Sequence, residues 1–336
     1  MKFLKEIIPG FLICFAIAML SKIIATVFPS LGAASFAILI GIICGNTIFK
    51  SEIFNKGSKF SESQLLAISV VLMGGTLNLS DIASVGVKGV IFIVLQMTLT
   101  IMAAYIIGRR LGFTKKFCLL MSSGNAVCGS SAIASTAPII NADSKEKGLS
   151  ITMVNITGTI LMFLLPLLAG WLYNLETLKT SALVGGTLQS IGQVIASAKL
   201  INDSVVTTAT IFKIIRITML VFVVIFLSKV NFEEGYPLFH KENKQREGKV
   251  KVKIPWYIIG FFILCVSVTI GIVPLSLSKS FKFVSGNFEI IALAAIGMRI
   301  KFSDLKKEGP KSLMYGLLIG LCQVIFAVCL ISIFIK

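Results

Sequence analysis

The apolar residues of this chain fall in blocks of about twenty, and that block length constrains the fold more than any other feature. Twenty helical residues span roughly 30 Å, the hydrocarbon thickness of a bilayer. Eleven such blocks can be read, at 7–27, 32–49, 63–79, 87–108, 117–140, 149–173, 182–198, 205–228, 255–274, 286–301 and 312–335. Only 14% of the 336 residues are charged, whereas a soluble domain carries about a quarter. The chain lacks the alternating strands and aromatic girdles of a membrane β-barrel. The expected fold is an all-α polytopic membrane protein with about 11 transmembrane helices. The first block has no small-residue cleavage site, so it reads as a span and not as a removable signal.

The net charge of +17 would suit nucleic acid if it were clustered on one face. It lies instead in short connections, where topology selects it. Loops 50–62, 109–116, 174–181, 229–254 and 302–311 collect most of the Lys and Arg, whereas the alternate loops hold a scattering such as Lys88, Lys145 and Lys199. This bias predicts a cytoplasmic N-terminus, an external C-terminus and no nucleic-acid partner. Loop 229–254 holds the only His, His240, and reads as a solvated linker. The chain is expected to form one membrane domain, 1–336, with approximate halves 1–173 and 182–336. The seven Cys lie mostly in apolar blocks without close pairing and read as buried thiols.

Residues 74–89 and 297–312 match at a constant offset of 223: Gly74, Ser80, Asp81, Gly86 and Lys88 against Gly297, Ser303, Asp304, Gly309 and Lys311. Seven crossings separate the two segments, so they lie on opposite membrane faces, as inverted structural repeats do in secondary transporters. Asp81 and Asp304 read as helix N-caps.

Three polar interruptions stand out. The block at 117–140 is polar at its centre, "SSGNAVCGSS", and Pro138 follows. Unwound backbone at membrane depth is tolerated only against protein or a watery cavity. The stretch therefore predicts a discontinuous helix whose second half begins at Ser130 and Ser131, with an N-terminus suited to an anion. Ser122, Ser123, Asn125 and Cys128 would line the break. The second interruption, "GGTLQSIGQVIASAK" at 185–199, places Gln189 and Gln193 on one helical face. A polar packing helix is the competing reading there. The third is a pair of cations, Lys213 and Arg216, on one face inside the block 205–228. Intramembrane cations are costly and mark functional sites by default. No acid lies clearly at the middle of a span, and Glu289 sits near the start of its block, so an anionic substrate is the expected counter-charge.

At these residues the chain resembles a family of bacterial multi-spanning membrane proteins named as sulfate exporters. "GNAVCGSSAIASTAP" is close to that family's G-x-x-x-C-G-x-S-A-I-A-A signature. "GTLQSIGQVIASA", "FKIIR" and "AAIGMRI" answer three further segments. Gln189 stands where the family usually has His, which removes one candidate proton carrier. The resemblance implies a place among the bile-acid-symporter-like and cation–proton-antiporter-like transporters, in a bacterial plasma membrane.

The resulting expectation is a secondary active transporter that exports or exchanges a small sulfate- or sulfonate-like anion by alternating access. Ser123, Gly124, Asn125, Cys128, Gly129, Ser130 and Ser131 would cradle the substrate. Lys213 and Arg216 would supply counter-charge, and Gln189 and Gln193 a polar wall. The alternative is a sodium- or proton-coupled organic-acid transporter, or a cation–proton antiporter with Lys213 as proton carrier. No catalytic group, metal cluster or cofactor motif is read, and assembly as a homodimer is left open.

Overall fold

The computed structural model describes residues 2–27, 32–49, 51–83, 85–236, 255–300 and 309–335, and all regular structure among them is helical. In chain order the helices are α1 Lys2–Val27, α2 Gly32–Asn46, α3 Asn55–Phe60, α4 Leu66–Gly74, α5 Leu79–Ala83 and α6 Gly86–Arg110. Next come α7 Lys115–Ala126, α8 Ser130–Thr136, α9 Ser144–Tyr173, α10 Thr177–Thr187 and α11 Ile191–Lys199. The last five are α12 Asp203–Thr218, α13 Leu220–Ser228, α14 Trp256–Thr269, α15 Leu275–Arg299 and α16 Pro310–Phe334.

Six stretches of the described residues are long and apolar enough to cross a bilayer: Glu6–Val27, Gly86–Arg110, Lys145–Tyr173, Asp203–Ser228, Ser276–Arg299 and Pro310–Phe334. Ala33–Asn46 and Trp256–Thr269 are shorter apolar helices. The protein is thus a multi-pass helical membrane protein. The blocks at 63–79, 117–140 and 182–198 are not continuous helices. A π-turn at Ser61–Leu65 leads into α4, and the other two blocks each break into two pieces. Of the six spans, Asp203–Ser228 is the most enclosed, at 61% buried, against 33% for Gly86–Arg110 and Pro310–Phe334.

Two expectations need correction. The helix predicted at 286–301 starts at Leu275, because Lys279 and Lys282 are exposed on its first turns and so do not interrupt it. Glu289 is therefore interior to a span, not close to its start. Asp81 lies within the short helix α5, and Val85 caps α6 without a side-chain bond. Asp304 and Ser303, the other end of the proposed repeat, lie outside the described residues, as does His240.

The chain forms two compact units, each assembled from separated stretches: Met1–Ser84, Ile195–Asp203 and Pro255–Lys306 in the first, and Val85–Val194, Ser204–Ile254 and Lys307–Lys336 in the second. In the first unit α15 packs closely on α2. A Cβ on Gly41 would strike the Ala294 carbonyl, and one on Gly297 the Ile38 carbonyl, so small residues here let two backbones touch. Ser285 Oγ donates to Ser69 O at 2.9 Å, joining α15 to α4.

In the second unit α6 packs against α7 and α16. The buried Tyr315 hydroxyl donates to Ala104 O at 2.5 Å, and its ring stacks on Phe113 with centroids 5.1 Å apart. Thr114 caps α7 by accepting from Phe117 N at 3.2 Å. Asp143 caps α9 through Glu146 N at 2.6 Å. The loop after α13 is tied back by Glu234, which takes both Arg109 Nη1 and Nη2 at 2.8 Å and the Lys115 amide at 2.6 Å. Those donors, the Lys115 N–H first, hold the Glu234 carboxyl below its usual range against a smaller opposing effect of burial.

Candidate functional site at two broken helices

The second unit holds both breaks. Helix α7 ends at Ala126, and Val127 and Cys128 leave helical geometry. Gly129 follows at φ +68° and ψ −122°, a conformation that favours glycine, and α8 begins at Ser130. Helix α10 ends at Thr187, Leu188 is extended at φ −62° and ψ 145°, and α11 begins at Ile191. The sequence 190–193 explains the restart. Ser190 Oγ accepts from Gln193 N at 3.1 Å, and Gln193 Oε1 accepts from Ser190 N at 3.0 Å. That is a reciprocal Ser-x-x-Gln capping box.

Each break leaves carbonyls without helical donors, and two cations from α12 supply them. Lys213 and Arg216 are fully buried. Lys213 Nζ donates to Val127 O at 2.6 Å and Leu188 O at 2.7 Å. Arg216 Nε donates to Ala126 O at 2.6 Å, and its Nη1 to Gly186 O at 3.0 Å and Leu188 O at 2.8 Å. Its Nη2 donates to Asn125 O. One turn of α12 thus clamps the carbonyl ends of α7 and α10 together. Among the described residues no carboxylate pairs with either cation.

A chain of amides surrounds this clamp. Gln189 Nε2 donates to Asn125 Oδ1 at 3.2 Å and to Gln323 Oε1 at 3.0 Å. Gln323 Nε2 donates to Asn125 O at 2.9 Å, and Gln96 Nε2 to Gln323 O at 2.8 Å. Gln96 on α6 and Gln323 on α16 were not among the candidates from the sequence. Their signal was a lone Gln inside each of two otherwise apolar spans. Gln189 Oε1 and the Thr187 and Thr136 hydroxyls are buried without a hydrogen-bond partner. Gly158 on α9 gives the two glutamines their space, since a Cβ there would overlap both Gln193 and Gln189.

The other sequence candidates are placed as follows. Ser123 is buried, but its hydroxyl donates to Leu120 O at 3.0 Å on its own helix. Asn125 likewise donates Nδ2 to Met121 O at 2.9 Å while its carboxamide oxygen serves Gln189. Gly124 lies against Ile133, where a Cβ would come within 2.8 Å. Cys128 is 8% exposed beside the clamp. Ser130 and Ser131 are exposed and are the first residues of α8, whose N-cap is Gly129 without a side-chain bond. The predicted capping role of the two serines is therefore replaced by backbone geometry. Gln193 is committed to the α11 cap.

Residues 9–316 match the family described as Conserved hypothetical protein 698. The chain belongs to this family. It is 55% identical over 334 residues to a UPF0324 membrane protein of Clostridium perfringens, covering 99% of this chain and 97% of the relative. A UPF0324 membrane protein of Lactococcus lactis is 46% identical, covering 98% and 100%. One from Agrobacterium fabrum is 31% identical, covering 93% and 88%. Near full-length coverage means that both breaks and the α12 cations lie within the stretch shared with other UPF0324 membrane proteins.

Proposed function

We propose that this UPF0324 membrane protein is a secondary active transporter that moves a small oxyanion, sulfate- or sulfonate-like, by alternating access, with the clamp at the broken helices as its substrate site. One observation carries the reading: two fully buried cations at Lys213 and Arg216 meet carbonyl groups and, among the described residues, no carboxylate. Each half-helix C-terminus offers roughly half a negative charge. Two such ends balance about one of the two positive charges, which leaves an excess that an anion would neutralise. Among the described residues here, the Thr187 and Thr136 hydroxyls and the third proton of the Lys213 ammonium are donors with hydrogen-bonding capacity to spare. Enclosed polar backbone inside an apolar protein is also the arrangement that transporters use for substrate at membrane depth.

The reading extends to topology. The N-terminus is cytoplasmic, eleven crossings are made when the shorter and broken helices are counted, and the offset match of 74–89 with 297–312 marks an inverted repeat. The chain performs no catalysis in this account.

Purified protein in liposomes, assayed for labelled sulfate counterflow, tests the function. Wild type should exchange sulfate, and Lys213→Gln should abolish exchange while the protein remains folded. Wild-type liposomes that exchange sulfate no faster than empty ones would remove sulfate from the reading. The same result with sulfonates and small carboxylates would remove anion transport altogether.

A further inference from the structure

The first unit contains a second buried charge cluster that the clamp does not use. Glu289, on α15, is 3% exposed and lies ten residues, about 15 Å, from the Arg299 end of the helix. Its Oε1 accepts from Ser285 Oγ at 3.1 Å, and its Oε2 meets Lys199 Nζ at 3.2 Å. The same ammonium contacts Asp203 Oδ1 at 2.7 Å. The side chains of Lys199 and Asp203 are 20% and 72% exposed. A buried carboxylate is thus linked through one lysine to a carboxylate open to solvent.

We propose that Glu289 is a proton-binding site that couples transport to the proton gradient, with Lys199 as the group it shares with Asp203. This rests on the transporter reading. Glu289 and the solvent-exposed Asp203 share one ammonium, so the buried Glu289 carboxylate is only partly compensated by Lys199. Holding that imbalance in a buried setting is unfavourable, and a proton on Glu289 removes it without moving another ion. The proton comes from the aqueous side at Asp203 and ends on a Glu289 oxygen. Lys199 then keeps only Asp203 as a partner. Lys199 is the last residue of α11, and α11 begins at the capping box beside Gln189.

The surroundings contain little else that could take the role. Helix α4 has no titratable side chain and α2 has only Cys44. On α1, Cys14 lies against Ser58 and Met298, and Lys22 donates to Asn287. Lys56 of α3 pairs with Glu6, Lys59 is exposed, and Glu62 of the π-turn pairs with Arg299 at the far end of α15. On α15 itself Lys282 acts on Asp203.

Full-length protein in liposomes on a solid-supported membrane, subjected to a pH jump without sulfate, tests the proposal. Wild type should give a transient charge displacement, Glu289→Gln should lose it, and Glu289→Asp should keep it with a shifted midpoint pH. A structural salt bridge would yield no such transient. Equal transients in wild type and Glu289→Gln, or a wild-type transient driven by a sodium jump instead, overturn the proposal. Should Glu289→Gln fail to fold, Ser285→Ala keeps the carboxylate and should shift the midpoint, and an unchanged midpoint is the overturning result. Labelled sulfate counterflow of wild type at equal pH on both sides is run alongside. Absence of counterflow with sulfate, sulfonates and small carboxylates alike rejects the transporter reading, whereas loss of the pH-jump signal alone rejects only the proton site.

Discussion

Two buried charged regions of this protein are compensated in opposite ways. At the broken helices, Lys213 and Arg216 are held by backbone carbonyls of α7 and α10. In the first unit, Lys199 is held by two carboxylates, Glu289 and Asp203. Carbonyl ends carry partial charges fixed in the backbone, so the acceptors of the first region do not change with pH. Carboxylates carry whole charges that a proton can cancel, so the second region can change its balance. The difference separates a place suited to hold an anion from a place suited to take up a proton.

The strongest way to break this comparison is Arg216→Ala. It leaves the carbonyls of Asn125, Ala126, Gly186 and Leu188 short of donors in an enclosed setting. We expect a loss of about 3–5 kcal/mol, the range for breaking a buried charged contact, read as thermal unfolding in detergent, together with loss of sulfate counterflow. A stability change below about 1 kcal/mol would mean that the clamp does not hold the breaks together.

Gly129→Ala attacks the same region through the backbone alone. The positive φ imposes a strain of about 1–3 kcal/mol on any side chain. Unfolding should show that loss with Lys213 and Arg216 intact, and an unchanged midpoint would place no constraint on the chain turn at Gly129.

Gln323→Leu should be milder. It takes one acceptor from Gln189 and one donor from Asn125 O, which Arg216 still serves. About 1–2 kcal/mol is expected, with a larger effect on sulfate exchange than on the unfolding midpoint. The reverse ranking would make the amide chain a packing feature only.

The smallest effect is expected at Glu234→Gln, where the ion pair with Arg109 is exposed and contributes about 1 kcal/mol or less. Because the folded Glu234 carboxyl is held below its ordinary value, its contribution is present above about pH 4.3 and is lost as pH falls through the lower folded value. Unfolding midpoints of wild type and variant should differ by a constant amount from neutral pH to about pH 5 and converge in stronger acid. A difference that grew with acidity would contradict this sign.

The break at 124–131 was legible because glycine and serine in an apolar block conflict with a continuous lipid-facing helix. The second break was half legible. Gln189 and Gln193 were visible as a polar face, yet Ser190 and Gln193 spell a helix start that the face reading hides. Lys213 and Arg216 stood out by their cost. Their partners did not, since every residue has a carbonyl and sequence cannot say which are left without donors. Glu289 was misplaced because exposed Lys279 and Lys282 broke the apolar window while leaving the helix intact.

Block length and hydropathy by themselves determine that this is a multi-pass helical membrane protein, because backbone in lipid must satisfy its own hydrogen bonds. Glycine and serine in an apolar block likewise mark the interruption at 124–131. The tertiary structure alone decided that one turn of α12 reaches two carbonyl ends far apart in sequence, and that Lys199 meets Glu289. Both depend on long-range packing, which brings fixed dipoles and charges within hydrogen-bond distance without any local pattern to announce it.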